Sequence, residues 1–408
     1  MNKIYRAIGI GVFLTLVAGF SWWYAQKIEI QQVRRDRVGN VNDVDDNICE
    51  TNNNSSQSVI ELREYKRLEG INNDSVRIMA WSKDWEILAS ASRDATVKLW
   101  SREGQEIATL PDYSLSVNSV AWSPDGNILA IGGVEGEVKL WSQDGQIIAN
   151  LSGHSTSIYA IAWSGDGKVL ASGSRDWILK LWSREGQEIA TRSDIVGSVN
   201  VLAGSPDGQI IASGNRGGVK LWTRNGQEIA TLSDRIGAVN VLAWSPDSNI
   251  LAAGGSESVQ SLWTRDNQEI ATLSGYIGSV HAVAWSPDSK IFATGNLDNT
   301  VKLWSREGKE IATLAGHTNP VYAVAWSPDG NILVSGSGDK TLKLWTSSGQ
   351  LLFTSQCHDR EITVVAFSPD GKTIASGTRD GTVRLWHLTD SEEGLKKRSR
   401  NDSKARSI

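Results

Sequence analysis

The side chains that could carry out acid–base or nucleophilic chemistry are few in this protein. It has five histidines and two cysteines, Cys49 and Cys357. The sequence contains no GxxxxGK[ST] phosphate loop, no HExxH helix and no CxxC pair, so the familiar phosphate, zinc and redox sites are not indicated. His281 falls within a predicted strand, and His387 is expected to face solvent. We therefore expect no enzymatic activity, no metal and no cofactor, and we expect both cysteines to be reduced thiols.

An uncharged run, AIGIGVFLTLVAGFSWWYA, occupies residues 7–25. As a helix it would rise about 28 Å, which is close to the hydrocarbon thickness of a bilayer. Its Trp-Trp-Tyr end suits the interfacial aromatic belt. We expect a single membrane anchor here. The alternative is a cleaved signal peptide, although no A-x-A site follows. More Lys and Arg lie after the run than before it, which slightly favours a cytoplasmic location for the rest of the protein.

Polar segments flank the rest of the sequence. Residues 1–6 form a short tail, and residues 26–58 become Asn-rich and acidic, which predicts a flexible tether. Residues 389–408 end in KKRSRNDSKARSI and predict a basic disordered tail. Contact between this tail and an anionic membrane is the alternative. Because the net charge is −5, we expect no binding to nucleic acid.

Tryptophan marks an internal repeat within residues 59–388. The sequence has 18 Trp against 5 Phe and 7 Tyr. One Trp ends the string VKLW at intervals of 41 residues, with a single interval of 40. A second Trp position, in the string AWS, lies 22 residues after each of the first seven VKLW tryptophans. In the fourth copy, Gly204 replaces the Trp of this second position. The first slot contains Trp100, Trp141, Trp182, Trp222, Trp263, Trp304, Trp345 and Trp386. There are thus eight copies.

Each copy predicts four short strands. VNSVAWS alternates apolar and small residues, as a strand with two different faces does, and SPDG is a turn. NILAIGG is a short apolar strand, and the strands VKLW and QEIATL flank the hairpin turn SREG. No apolar run between these turns is long enough to predict a helix. Eight sets of four antiparallel strands are typical of a β-propeller.

The pattern GH…VxxVAxSPDG…LASGSxDxTVKLW resembles the WD-repeat family over roughly residues 60–387. The resemblance implies a ring closed by an N-terminal strand that joins the last blade, which removes exposed sheet edges. The strand count agrees, because a fourth strand follows only seven copies and IELREYKRLEG at 60–70 can supply the eighth. We therefore predict an all-β, eight-bladed WD-repeat β-propeller preceded by a single transmembrane helix. The alternative is seven closed blades and one frayed unit.

The resemblance also implies a His–Ser–Asp–Trp hydrogen-bond relay, which braces a blade and only imitates a catalytic triad. The relay sets are His154, Ser172, Asp176 and Trp182; His317, Ser335, Asp339 and Trp345; and His358, Ser376, Asp380 and Trp386. In other copies the histidine is replaced. We expect the fourth blade to be the softest, since Gly204 removes a buried Trp.

The loops that differ between copies are the candidates for binding. The SPDG and SREG turns are nearly uniform, whereas the loop before the first strand and the SxD turn vary and lie on the opposite face. A varied face can match an asymmetric partner, and exposed aromatic and Arg side chains often dominate binding. The candidate contact residues are Tyr113, Trp177, Ile195, Arg235, Tyr276, Ile277, Arg93, Arg175 and Arg379. Drift in loops that lost the relay is the alternative explanation.

These features favour a monomeric, membrane-anchored scaffold that binds a protein or peptide through its variable face. That function rests on analogy between folds. One alternative is a ligand-binding or enzymatic site in the central channel, which we expect the first strands to line with Val, Ala, Ile and Ser rather than with acids or His. Another is a degenerate structural repeat protein.

Overall fold

The computed structural model describes residues 60–68, 74–110, 116–193, 195–232, 238–256, 260–273 and 278–390. Strands, turns and bends make up the regular structure of these ranges. No helix in the described ranges is long and apolar enough to span a bilayer. The predicted anchor at 7–25 and the predicted tether at 26–58 lie outside these ranges, and so do residues 391–408 of the predicted tail.

The described strands are numbered in sequence order, and the first, β1, is Ile60–Leu68. Blade 1 contains β2 (Val76–Trp81), β3 (Ile87–Ser92), β4 (Val97–Ser101) and β5 (Glu106–Leu110). Blade 2 contains β6 (Val117–Trp122), β7 (Ile128–Gly133), β8 (Val138–Ser142) and β9 (Ile147–Leu151). Blade 3 contains β10 (Ile158–Trp163), β11 (Val169–Ser174), β12 (Leu179–Ser183) and β13 (Glu188–Arg192). Blade 4 contains β14 (Val201–Gly204), β15 (Ile210–Asn215), β16 (Gly218–Thr223) and β17 (Glu228–Leu232).

The second half of the ring repeats this order. Blade 5 contains β18 (Val239–Trp244), β19 (Ile250–Gly255), β20 (Gln260–Thr264) and β21 (Glu269–Leu273). Blade 6 contains β22 (Val280–Trp285), β23 (Ile291–Asn296), β24 (Val301–Ser305) and β25 (Glu310–Leu314). Blade 7 contains β26 (Val321–Trp326), β27 (Ile332–Ser337), β28 (Leu342–Thr346) and β29 (Leu351–Ser355). Blade 8 contains β30 (Ile362–Phe367), β31 (Thr373–Thr378) and β32 (Val383–Asp390), with β1 as its fourth strand.

The eight sheets close into one ring. The first strand of each blade contacts the first strands of both neighbouring blades, and β30 contacts β2. These strands, here called the inner strands, therefore surround a central channel. At the seam, β1 pairs antiparallel with β32, and Arg384 Nη1 lies 2.6 Å from Glu64 Oε2. Eight-bladed closure by an N-terminal strand is confirmed, and the alternative of seven closed blades was wrong.

The repeated string VKLW…QEIATL explains how one blade holds its outer strands. In blade 1, Lys98 Nζ lies 5.4 Å above the Trp100 ring and 2.7 Å from Glu106 Oε2 on the next strand. The same Lys, Trp and Glu positions meet in blades 3, 4 and 6. The lysine thus covers a buried indole with its stem while its charge is paired outside. The string is an element of architecture.

The uniform turns join one blade to the next. We call the side that carries the SPDG and SREG turns the uniform face. In blades 3 to 6, the turn between the third and fourth strands carries an Arg. This Arg pairs with the Asp of the SPDG-type turn in the preceding blade. The pairs are Arg184–Asp125, Arg224–Asp166, Arg265–Asp207 and Arg306–Asp247. Because the same Arg–Asp contact recurs between blades, the turns that supply it are nearly identical.

Blades 3 and 4 meet differently from their neighbours. In blade 5, Trp244 Nε1 donates to the carbonyl oxygen of Ala203 in the preceding blade at 3.2 Å, and the equivalent bond recurs elsewhere in the ring. Blade 4 has Gly204 at that position. Here the backbone N–H of Gly165 donates to the carbonyl of Ser205 at 3.1 Å. A Cβ on Gly204 would overlap the carbonyl oxygen of Trp163 and lie 3.0 Å from its carbon. On this side the two backbones therefore lie close together where a Trp stands in most other blades, and the expected softness of blade 4 stays a prediction.

The cysteines also differ from expectation. Cys357, which lies just before His358, is disulfide-bonded. The only other cysteine in the sequence is Cys49, which is outside the described residues. The prediction of a reduced thiol was therefore wrong for Cys357, since a count of cysteines does not show which thiols meet in the fold.

Candidate functional site

Two of the three expected relays are complete. In blade 3, His154 Nε2 lies 2.9 Å from Ser172 Oγ, His154 Nδ1 lies 3.1 Å from Asp176 Oδ2, and Trp182 Nε1 donates to Ser172 Oγ at 2.9 Å. In blade 7, His317 Nε2 lies 2.8 Å from Ser335 Oγ and His317 Nδ1 lies 2.8 Å from Asp339. Trp345 donates to Ser335 at 2.9 Å.

The third relay lacks its acid. His358 Nε2 lies 2.8 Å from Ser376 Oγ, and Trp386 donates to the same oxygen at 2.8 Å. The Asp380 carboxylate instead accepts from Thr378 Oγ1 and from the backbone of Thr382. Within the described ranges, the buried Nδ1 of His358 has no hydrogen-bond partner. The expected role of Asp380 was therefore wrong, because a nearby hydroxyl and the local backbone hold it.

The relays are built for bracing. The Ser172 and Ser335 side chains are fully buried, so no substrate can reach either hydroxyl. Burial lowers the pKa of His154 and of His317, although Asp176 and Asp339 oppose the shift. Each histidine is thus held neutral, with both ring nitrogens engaged. In the described part of the protein, no group of three or more His, Cys, Asp or Glu could hold a metal ion.

The variable face is formed by the loops before the inner strands and by the turns between second and third strands. Of the predicted contact residues, Tyr113, Arg235, Tyr276 and Ile277 lie outside the described residues. Ile195 is only 3% exposed and joins the core between blades 3 and 4, with Val199 and Trp222. Its expected exposure was wrong, because its apolar side chain fills the space under the loop.

Trp177 stands out on this face. Its side chain is 56% exposed, and its backbone φ is +68°. At the equivalent position of this turn, other blades have Ala95, Gly136, Asn299, Lys340 and Gly381, all with positive φ. Gly and Asn tolerate this left-handed conformation, whereas a bulky side chain is strained in it. An exposed Trp at this position therefore does not stabilise the fold through its backbone conformation.

Four arginines follow the second strands of blades 1, 3, 4 and 8. Arg93, Arg175 and Arg379 were expected on this face, and all three are exposed. Arg93 lies 3.8 Å from Asp74, and Arg379 lies 3.6 Å from Glu361. Arg216 is the fourth, and it was missed because its turn carries the one-residue deletion of the fourth copy. Aligning the repeats from the AWS slot would have revealed it, because Arg216 follows Gly204 by 12 residues, as Arg175 follows Trp163.

A ring of polar side chains surrounds the channel near the variable face. In seven blades the second residue of the inner strand lies in a β-bulge, where the register with the next strand shifts by one residue. Such β-bulges re-aim a side chain. These seven residues and their equivalent in blade 4 form what we call the channel ring: Arg77, Asn118, Tyr159, Asn200, Asn240, His281, Tyr322 and Thr363.

The channel ring links the inner strands. Asn118 Nδ2 donates to the carbonyl of Ile158 at 2.9 Å, and Thr363 Oγ1 donates to the carbonyl of Val76 at 2.7 Å. The expectation of a channel lined only by Val, Ala, Ile and Ser was wrong. The sequence did indicate these residues, since the second position of the inner strand varies between copies while its neighbours in VxxVAW hardly change. That this position belongs to a β-bulge could not be predicted, because a bulge depends on the pairing of two strands.

An apolar cavity of about 420 Å³ lies near the uniform face, at the ends of the inner strands of blades 4 to 7. Gly204, Trp244, Trp285, Trp326 and three turn prolines contribute to its wall. It lies at the opposite end of these strands from the channel ring.

Comparisons with known proteins agree with this architecture. The family described as WD domain, G-beta repeat matches residues 63–101, 308–346 and 349–387. The family described as IFT122 first beta-propeller matches residues 116–313. The crystal structure of the computationally designed Ika8 protein is similar at 31% identity and a TM-score of 0.71, over 79% of this protein and 99% of that one. No curated protein matches the sequence.

Proposed function

Because this protein belongs to the WD-repeat β-propeller family, we propose that it is a membrane-anchored scaffold that binds a protein partner through its variable face. WD-repeat propellers commonly serve as protein-interaction scaffolds. The proposal for this protein rests on its own asymmetry, since the uniform face is occupied by contacts between blades. On the variable face, the ion pairs Arg93–Asp74 and Arg379–Glu361 each lie within one blade.

Trp177 is the observation that carries the proposal. A left-handed backbone at a non-Gly residue costs of order 1 kcal/mol, and an exposed indole adds a solubility cost. Within the described residues Trp177 is not part of a core cluster, and more than half of its surface is exposed. Trp is among the residue types that most often dominate protein interfaces. A partner that covers this indole would account for both features.

The position of the two ends of the propeller suits a tether. Ile60 pairs with Asp390, and the backbone N–H of Leu388 donates to the carbonyl of Lys372, next to the SPDG turn of blade 8. Both ends of the described region are therefore at the uniform face. If residues 7–25 anchor the protein, the tether joins the propeller at its uniform face, at the opposite end of the ring from the variable face.

The compartment proposed for the propeller follows from Cys357. Disulfides persist in oxidising compartments and are rare in the cytoplasm. This supports the extracytoplasmic side, opposite to the side that the charges flanking the apolar run favour. We expect a maleimide-polyethylene glycol reagent to label the denatured protein only after reduction. Labelling without reduction would argue for the cytoplasm.

Affinity capture with full-length protein tests the binding face. We expect Trp177→Gly to lose a specific partner that wild type retains, while its melting temperature stays the same or rises because glycine relieves the strained backbone. Trp85→Gly is the matched control. Trp85 also has a positive φ, of 53°, but it lies on the uniform face under Arg102, whose guanidinium is 4.9 Å from the ring. Identical partners for wild type and Trp177→Gly would refute the chosen face.

A further inference from the structure

Arg77 is the only member of the channel ring with a permanent charge, and it comes from the bulge of β2. Its Nη1 donates to Asn118 Oδ1 at 2.8 Å. Asn118 is held in turn, since its Nδ2 donates to the carbonyl of Ile158 in the next blade at 2.9 Å. These two bonds fix the orientation of the amide, and the amide fixes one edge of the guanidinium.

The charge of Arg77 has no carboxylate of its own in the described ranges. The acid that raises its pKa is Asp74, which lies 3.8 Å from Arg93. Asp74 therefore acts on both guanidinium groups, those of Arg77 and Arg93. Burial, and after it the charge of Arg93, lower the pKa of Arg77 to about 10, while Asp74 opposes both. A half-buried cation of this kind gains from an added anion.

The geometry favours a carboxylate. A guanidinium has five N–H donors in a planar fork, and Asn118 engages one edge of it. Such a fork binds both oxygens of a carboxylate in parallel. The bulge faces the mouth of the channel on the variable face, so a ligand that covers this face can reach it.

We propose that the channel mouth on the variable face binds a carboxylate of the partner, from an acidic side chain or from the partner's C-terminus, with Arg77 as its anchor. This inference rests on the proposed function and specifies the chemistry of the partner. Arg93 lies close enough to lower the pKa of the anchor, and the remaining ring residues are neutral. The asymmetry of the ring, with its charge in blade 1, sets where the acidic group enters.

Selection from random peptides tests the proposal on the full-length protein in detergent. One phage library displays peptides with a free C-terminus, and a second displays them internally. Selected peptides are then synthesised with each carboxylate changed to the amide, either Glu→Gln or a C-terminal amide. Their affinities are measured by fluorescence anisotropy against wild type, Arg77→Gln, Arg77→Lys and Arg184→Gln. Arg184→Gln removes the same charge from the uniform face.

We expect one carboxylate per peptide whose conversion to the amide weakens binding to wild type roughly 10- to 100-fold. The same conversion should cost less than about 3-fold with Arg77→Gln, while Arg184→Gln behaves as wild type. Arg77→Lys should recover part of the loss, because it keeps the charge without the fork. Which library supplies the binders identifies the source of the carboxylate.

Two results would overturn the inference. If peptides bind but no amide conversion depends on Arg77, the channel mouth is not a carboxylate site, while the scaffold function stands. If neither library supplies a binder, the inference fails as well, and the Trp177 capture experiment then decides the scaffold function separately. The peptide arm requires no change to the protein, so a folding defect in Arg77→Gln cannot imitate a negative result.

Discussion

Replacing Gly204 by alanine tests the contact between blades 3 and 4. Gly204 occupies the slot that holds Trp in most other blades, so the repeat pattern suggests that any larger residue should stabilise the protein. The structure predicts the opposite. A Cβ here would overlap the carbonyl oxygen of Trp163 and lie 3.1 Å from the Cα of Ser164. Both obstacles are backbone atoms, which, unlike those of a side chain, cannot rotate away.

The magnitude follows from two opposing terms. Gly204 has no positive φ, so alanine fits its backbone conformation and would stabilise the fold by about 0.4–1 kcal/mol if the space were open. Overpacking typically costs about 1–3 kcal/mol. The overlap with backbone places this site at the upper end of that range. We therefore expect Gly204→Ala to lower the free energy of unfolding by about 2–2.6 kcal/mol.

Urea denaturation followed by circular dichroism measures this change, with hydrogen exchange to locate it in blades 3 and 4. Gly217→Ala is the control in blade 4. Its φ is not positive, and its nearest neighbours, Asn215 Oδ1 and Val196 Cβ at 3.2 Å, belong to side chains that can shift. An unchanged or increased stability for Gly204→Ala would refute the backbone contact. Gly165→Pro should also destabilise, since it removes the N–H that bonds to Ser205.

Two further predictions concern pH and salt. Burial lowers the pKa of His281 to about 4, so its neutral form stabilises the fold above pH 6.5 and that contribution, up to about 3 kcal/mol, is lost as pH falls from 6.5 to 4. His281→Asn, which copies the residue of blades 2, 4 and 5 at this ring position, should flatten melting temperature against pH over that window; an unchanged slope would contradict the assignment. Changing the four uniform-face arginines Arg184, Arg224, Arg265 and Arg306 to Gln should cost roughly 1–3 kcal/mol in total at low salt, because exposed pairs contribute about 0.2–1 kcal/mol each. The difference from wild type should shrink in 1 M NaCl, where the Debye length is about 3 Å, and a loss independent of salt would mean that packing, not charge, is involved.

Much of the ring could be predicted from the sequence, since each copy repeats a local pattern. Two Trp slots and the turns between them specify four strands, and the missing fourth strand after Trp386 predicts closure by β1. The relays of blades 3 and 7 were also predictable, because His, Ser, Asp and Trp stand at fixed offsets within one blade. Such contacts depend on strand pairing alone.

Other features of the candidate site could not be predicted in this way. Asp380 is at the expected offset, but Thr378 competes for its carboxylate. Ile195 is in a loop of the variable face, but it fills a gap between two blades. Both outcomes depend on which neighbour is nearest in space, and the repeat pattern does not contain that information.

The sequence by itself determined the eight blades, their strands and their order, because hydrophobic period and turn residues act over a few positions. Only the tertiary structure decided how neighbouring blades meet. The bulges that aim Arg77 and His281 toward the channel depend on the register between two strands. The contact of Gly165 with blade 4 joins turns about forty residues apart, and the bond from Thr363 to Val76 joins the two ends of the ring. Distances of this kind exist only once the ring has closed.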